Sequence, residues 1–241
     1  MHFHLPKPMH GWREFLGEVG IIVVGVLIAL AGEQLVEDWH NDSRAKASIA
    51  AVDAELAINA GVFEERTLQQ SCEVRRLSEM EALISAARAT HRLPQIAGIG
   101  NSIARPTQRG AWEEAQNSVV LDRWPRQDRL TLATIYSQQL PSDALTLGET
   151  RQWFKLMSMM RTMSGRVSDN DLALLSDLIA DLAFYSWNNG IDARQQLEGI
   201  TQRGIRPTYF VALDREGRHD DIRALVAKSA ICQPLHVSDV G

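Results

Sequence analysis

Residues Val19–Gly32 (VGIIVVGVLIALAG) contain no charged or strongly polar side chain. Fourteen helical residues reach about 21 Å, short of the roughly 30 Å hydrocarbon layer of a bilayer. Phe15-Leu16-Gly17 before the run and Gln34-Leu35-Val36 after it extend the apolar pattern, so it predicts a helix over roughly 15–39. Trp12 and Trp39 would then lie about 40 Å apart along the axis, near the full membrane thickness where indoles settle. A buried core helix and a cleaved signal peptide compete with this reading, since Ala29-Leu30-Ala31 has the small-x-small form of a cleavage site. The apolar run continues right up to that site with no polar stretch before it, which favours an uncleaved span.

After the span the period becomes helical. Ile49, Val52, Leu56 and Phe63 form one apolar stripe, and Leu77, Met80, Ile84 and Ala87 another. Both fit one heptad register that Asn59, Arg66, Gln70 and Glu73 interrupt. The pattern predicts either a long helix rising from the membrane or two helices broken near Gly61. His91–Pro106, with Pro94, Gly98, Gly100 and Pro106, reads as a loop. A short helix over about 111–121 is expected next, then one from Pro125 to about Leu140 and another over about 144–163. Ser168-Asp169-Asn170-Asp171 has the form of a helix N-cap, opening a stripe of Leu172, Leu175, Ile179, Leu182 and Ser186. The tail holds a strand-like fragment, Thr208–Leu213, and a short helical stretch near Asp220–Ser229. The expected fold is all-α: one N-terminal transmembrane helix followed by an antiparallel helical bundle. The expected units are 1–14, a short cytoplasmic or interfacial segment; 15–39, the span; 40–205, an exported bundle; and 206–241, a tail with a short helix.

Charge gives this architecture an orientation. Lys7 and Arg13 precede the span, whereas Glu33, Glu37, Asp38 and Asp42 follow it closely. Basic residues stay on the cytoplasmic side, so the N-terminus is expected inside and the body in the periplasm of a bacterial inner membrane. The net charge of −5 offers no basic stripe and argues against nucleic acid as a partner.

The opening HLPKPMHGWREFLGEVGIIVVGVLIALAGEQLVEDWH resembles an uncharacterised family of bacterial single-span inner-membrane proteins. The resemblance rests on Gly17-Glu18, Gly25, Leu27-Ile28-Ala29-Leu30 and Trp39, with a looser echo from Trp112 to Tyr136. It implies the single-span topology and brings no activity.

Within the span, Glu18, Gly25, Ala29 and Gly32 fall within about 60° of one another on a helical wheel, with Glu33 close by. Small residues in one stripe allow close helix approach, so this face is the expected contact with another membrane protein or a second copy. The two glutamates are separated by about 22 Å along the axis and do not both reach water easily across a 30 Å core.

Elsewhere candidate chemistry is sparse. Cys72 and Cys232 are a candidate disulfide in an oxidising compartment. His2, His4 and His10 lie among prolines, which break a regular ligand geometry. Met157, Met159, Met160 and Met163 spread around a helix and suit core filling more than soft-metal binding. Glu113-Glu114, Asp177-Asp181 and Asp220-Asp221 lack metal-motif spacing, and Trp112, Trp124, Trp153 and Trp187 read as core anchors. No catalytic residue, cofactor or metal site is expected. The residues point to an accessory or scaffolding subunit of an inner-membrane or envelope assembly. A periplasmic sensor or binding module signalling through its helix is the second reading, and an enzyme is the third.

Overall fold

One helix, α1 (Trp12–Thr90), carries the chain from the apolar segment to the far end of the body without a break. Its 79 residues span about 120 Å at 1.5 Å per residue. The helix therefore runs through Gly61, where a break was one expectation; Gly61 is buried inside it. It stops at His91, whose left-handed backbone (φ 49°) directs its N–H to the Ala87 carbonyl at 2.7 Å. The computed structural model describes residues 11–208 and 222–238, with the Glu14 side chain left aside. The elements after α1 are β1 (Arg92–Leu93), β2 (Gln95–Ala97), α2 (Gly110–Gln116), a 3-10 turn (Val119–Arg123), α3 (Arg126–Thr162) and β3 (Gly165–Arg166). They are followed by α4 (Asp169–Gln202), α5 (Ile222–Ala227), a second 3-10 turn (Ala230–Cys232) and β4 (His236–Ser238). The class is all-α, as the periodicity requires.

Side-chain contacts fix the helix directions. Glu55 meets Tyr136 and Arg66 meets Glu149, so α1 and α3 run parallel. Asp53 meets Arg203, Gln70 meets Ser186 and Arg88 meets Ser176, so α4 runs antiparallel to α1. Parallel neighbours need a return path, and residues 98–123 supply it by descending along α1. Its first part, residues 98–109, has no regular secondary structure, and without a partner strand its buried peptide groups must find other partners. They find them in polar side chains of α1. Arg76 donates to the carbonyls of Gly98 and Ile99, Gln69 accepts from Ile103 N–H, and Asn59 both donates to Gln108 O and accepts from its N–H. Glu55 accepts from the N–H groups of Ala111 and Trp112, which caps the start of α2 from another helix. Nearest the apolar segment, Arg123 pairs with Asp38 and Asp42. Of the polar residues that interrupt the heptad, Asn59, Arg66 and Glu73 are thus core residues themselves and Gln70 is half-buried; Glu55, Gln69 and Arg76 are buried beside them.

Two apolar cores flank this polar middle. The lower one joins Val52, Leu56, Trp112, Trp124, Leu132 and Tyr136, with the Trp112 and Tyr136 rings stacked at 5.2 Å. The upper one gathers Leu77, Met80, Ile84, Trp153, Leu156, Met160, Leu172, Leu175 and Leu182. Two short antiparallel pairings, β1 with β3 and β2 with β4, close its end, so the loop expected over 91–106 is partly paired.

Two helices expected over 125–140 and 144–163 are one helix, α3, running through Pro141. Proline is normally a helix breaker because it lacks an N–H and crowds the preceding turn. Pro141 is exposed, and the carbonyl it leaves without a helical donor belongs to exposed Ser137. Helix α4 opens on the expected cap: Ser168 Oγ accepts from Asp171 N–H while the Asp171 carboxylate accepts from Ser168 N–H. That arrangement holds the Asp171 carboxyl below its ordinary range. The strand-like Tyr209–Leu213, the first three histidines and Asp220-Asp221 lie outside the described residues.

Candidate functional site

Residues 15–37 of α1 are exposed throughout and make no side-chain contact with the rest of the fold among the described residues. Glu18, Gly25, Ala29, Gly32 and Glu33 are all exposed, as are Ile21, Ile22, Val24, Leu27 and Ile28 around the rest of the helix. A Cβ placed on Gly25 or Gly32 would meet no atom within 4 Å. Among the described residues this is the one helix long and apolar enough to cross a membrane.

Cys72 and Cys232 are bonded to each other, with their Cα atoms 4.9 Å apart and 160 positions between them. Beside them Arg76, fully buried, donates to the carbonyls of Ile231 and Gln233, and Arg75 donates to that of Cys232 at 2.7 Å. The chain end is therefore tied to α1 covalently and through a guanidinium fork. Burial lowers the Arg76 pKa from its ordinary value, while neighbouring Glu79 raises it.

The most concentrated polar site lies between the two apolar cores, where α1, α3 and α4 meet. Arg66 Nη2 approaches Glu149 Oε2 at 2.5 Å and Glu73 Oε2 at 3.0 Å. Arg66 is 7% exposed and both glutamates 0%, so two carboxylates share one guanidinium away from water. Glu149 also accepts from Asn189 Nδ2 at 2.6 Å and from Trp153 Nε1 at 3.2 Å. Glu73 Oε2 accepts from the Ser186 hydroxyl at 2.7 Å, and Arg66 Nη1 donates to the Ser102 hydroxyl of the return path. Burial is the main cause that lifts the Glu73 pKa from 4.5 to about 7; Glu149 adds to the rise and Arg66 opposes it.

A groove of about 430 Å³ runs alongside this cluster between α1 and α4. Val74, Leu77, Ile179 and Trp187 form its apolar walls, and Gln70 and Ser186 lie at its floor. Gln70 Nε2 donates to both the carbonyl and the hydroxyl of Ser186, so the groove sits one hydroxyl away from Glu73. Trp187 is 61% exposed on the groove wall and is not the core anchor that composition suggested; Trp112, Trp124 and Trp153 are buried. Of the four methionines, Met160 is fully buried and the other three pack partly buried against the upper core. Glu113, Glu114, Asp177 and Asp181 are exposed. Among the described residues no group of three or more His, Cys, Asp or Glu is placed to hold a metal ion.

Sequence reasoning missed this cluster for a definite reason. Arg66 and Glu73 read as breaks in an apolar stripe, and nothing in the helix expected over about 144–163 singled out Glu149. The available signal was their heptad spacing: Asn59, Arg66 and Glu73 recur every seven residues in the buried register.

The chain was compared with protein family models, characterised proteins and solved structures. Nothing matches.

Proposed function

We propose that the protein is a membrane-anchored, non-catalytic subunit of an inner-membrane or envelope assembly, with its body in the periplasm. One observation carries this reading. A third of α1 is apolar and bare on every side, yet continues without a joint into a body whose own cores are closed. Bare apolar surface on this scale belongs in lipid or against another helix. Acidic residues after the span and basic ones before it support export of the body, and the Cys72–Cys232 bond suits an oxidising compartment. Within the span, the stripe of Glu18, Gly25, Ala29 and Gly32, with Glu33 beside it, is the face that would receive a partner helix or a second copy.

The test uses the full chain purified in mild detergent, with mass spectrometry of co-eluting proteins. Gly25→Leu and Gly32→Leu keep the segment apolar while blocking close approach, and should weaken self-association or release the partner. Val23→Leu and Val24→Leu, on the opposite side, should leave it intact. Equal behaviour of the two faces would reduce the span to a plain anchor. A reporter active only in the cytoplasm that works when fused after Gly241 would overturn the orientation.

A further inference from the structure

We propose that Glu73 is a buried proton-binding site whose occupancy sets how firmly α4 is held against α1. The case begins with charge. Glu73 and Glu149 share Arg66, so the fully ionised cluster carries one uncompensated negative charge in the interior, which is costly unless a cation arrives. Among the described residues the surroundings do not supply one. Trp153 from α3, Ser186 and Asn189 from α4 and Ser102 from the return path are neutral. The nearby Arg105 is engaged by Glu65 at 2.7 Å and Arg109 by Asp143 at 3.7 Å. Asp192, on the same side of the bundle, adds negative charge, and burial raises its pKa as well.

The geometry then decides which carboxylate takes the proton. Glu149 accepts three N–H donors, from Arg66 and Asn189 on Oε2 and from Trp153 on Oε1, so both its oxygens are engaged. Arg66 and Ser186 both donate to Glu73 Oε2, whereas its Oε1 is buried and has no hydrogen-bond partner among the described residues. Gln70, one turn earlier on α1, carries an Oε1 that also lacks a donor. A proton on Glu73 Oε1 would leave one cation facing one anion. Access is through the groove. Ser186 lines that groove and donates to Glu73 Oε2, so a hydronium ion entering the groove comes within one side chain of the carboxylate and leaves neutral water behind when its proton is taken up.

Both helices of the seam carry the titrating network: Glu73 and Gln70 on α1, and Ser186 on α4. Loss of the proton restores the uncompensated charge there and weakens the seam. The folded state binds a proton that the unfolded chain releases, because its Glu73 pKa of about 7 exceeds the ordinary 4.5. Stability from this group is therefore full below about 4.5 and is lost as the pH rises towards 7.

The test is a pH series of equilibrium unfolding on the full chain in detergent, together with infrared difference spectra between pH 5 and 8. In the wild type the unfolding constant should rise by up to about tenfold per pH unit between about 4.5 and 7, the slope of one proton, and level off above that. A carboxylic-acid carbonyl band should vanish in parallel. Glu73→Gln should flatten this component and abolish the band. Ser186→Ala, which removes a donor to the ionised form, should move the midpoint to higher pH. The proposal is overturned if Glu73→Gln leaves slope and band unchanged. If that variant does not fold, an unmoved band midpoint in Ser186→Ala overturns it.

Discussion

Asn59→Ala is the sharpest probe of how α1 holds the return path. Asn59 is fully buried, and its amide reads the backbone of one residue twice: Nδ2 donates to Gln108 O at 2.7 Å and Oδ1 accepts from Gln108 N–H at 2.7 Å. Truncation removes two hydrogen bonds worth about 1 kcal/mol each and leaves a backbone donor and acceptor unpaired at about 1–3 kcal/mol apiece where water is kept out. Gln108 is only half-buried, so water recovers part of that loss. The expected cost is about 2–4 kcal/mol. Gln108→Ala is the matched control: it keeps the backbone groups that Asn59 recognises and should cost less than about 0.5 kcal/mol. Urea unfolding of the full chain followed by tryptophan fluorescence measures both, and hydrogen exchange at the Gln108 amide should accelerate in Asn59→Ala alone. Equal costs for the two variants, or unchanged exchange, would refute the idea that this side chain substitutes for a partner strand.

Three further outcomes follow from the same contacts. Opening the Cys72–Cys232 bond frees a 160-residue loop, which loop entropy values at up to about 5 kcal/mol, so identical unfolding with and without reductant would contradict the tie. A Cβ on Gly190 would lie 2.0 Å from Gln70 Oε1, so Gly190→Ala should expel Gln70 from Ser186 and cost about 1–2 kcal/mol. That cost should largely disappear in a Gln70→Ala background, and strict additivity would show that the clash is relieved elsewhere. Arg66→Met strands two buried carboxylates and should cost about 3–5 kcal/mol at pH 8, with a smaller loss at pH 5 where Glu73 can take up a proton; a pH-independent cost would argue against the shared cluster.

The helical elements were legible because apolar period reports burial directly: Leu172, Leu175, Ile179 and Leu182 all reach the core their spacing predicts. The Ser168 cap was legible because capping is local. What could not be read was the path between parallel helices. A heptad position holding Asn59 or Arg66 looks like a defect until a segment without regular structure is known to lie against it, and that segment is distant in sequence. The break expected after about Leu140 is absent for a related reason, since the effect of Pro141 depends on whether the carbonyl it orphans faces solvent. Trp187 shows the reverse case: its place in the helical sequence is ordinary, and only the packing of α1 and α4 leaves its ring on a groove wall.

The unbroken course of α1 gives the molecule the mechanics of a lever. From Trp39 to Thr90 the same helix continues for 51 residues, an arm of about 75 Å. If the apolar end adopts the roughly 20° tilt common for membrane helices, the far end sweeps about 25 Å sideways. Modest changes in bilayer thickness at one end would therefore become large displacements of the Pro94 and Val237 tip at the other.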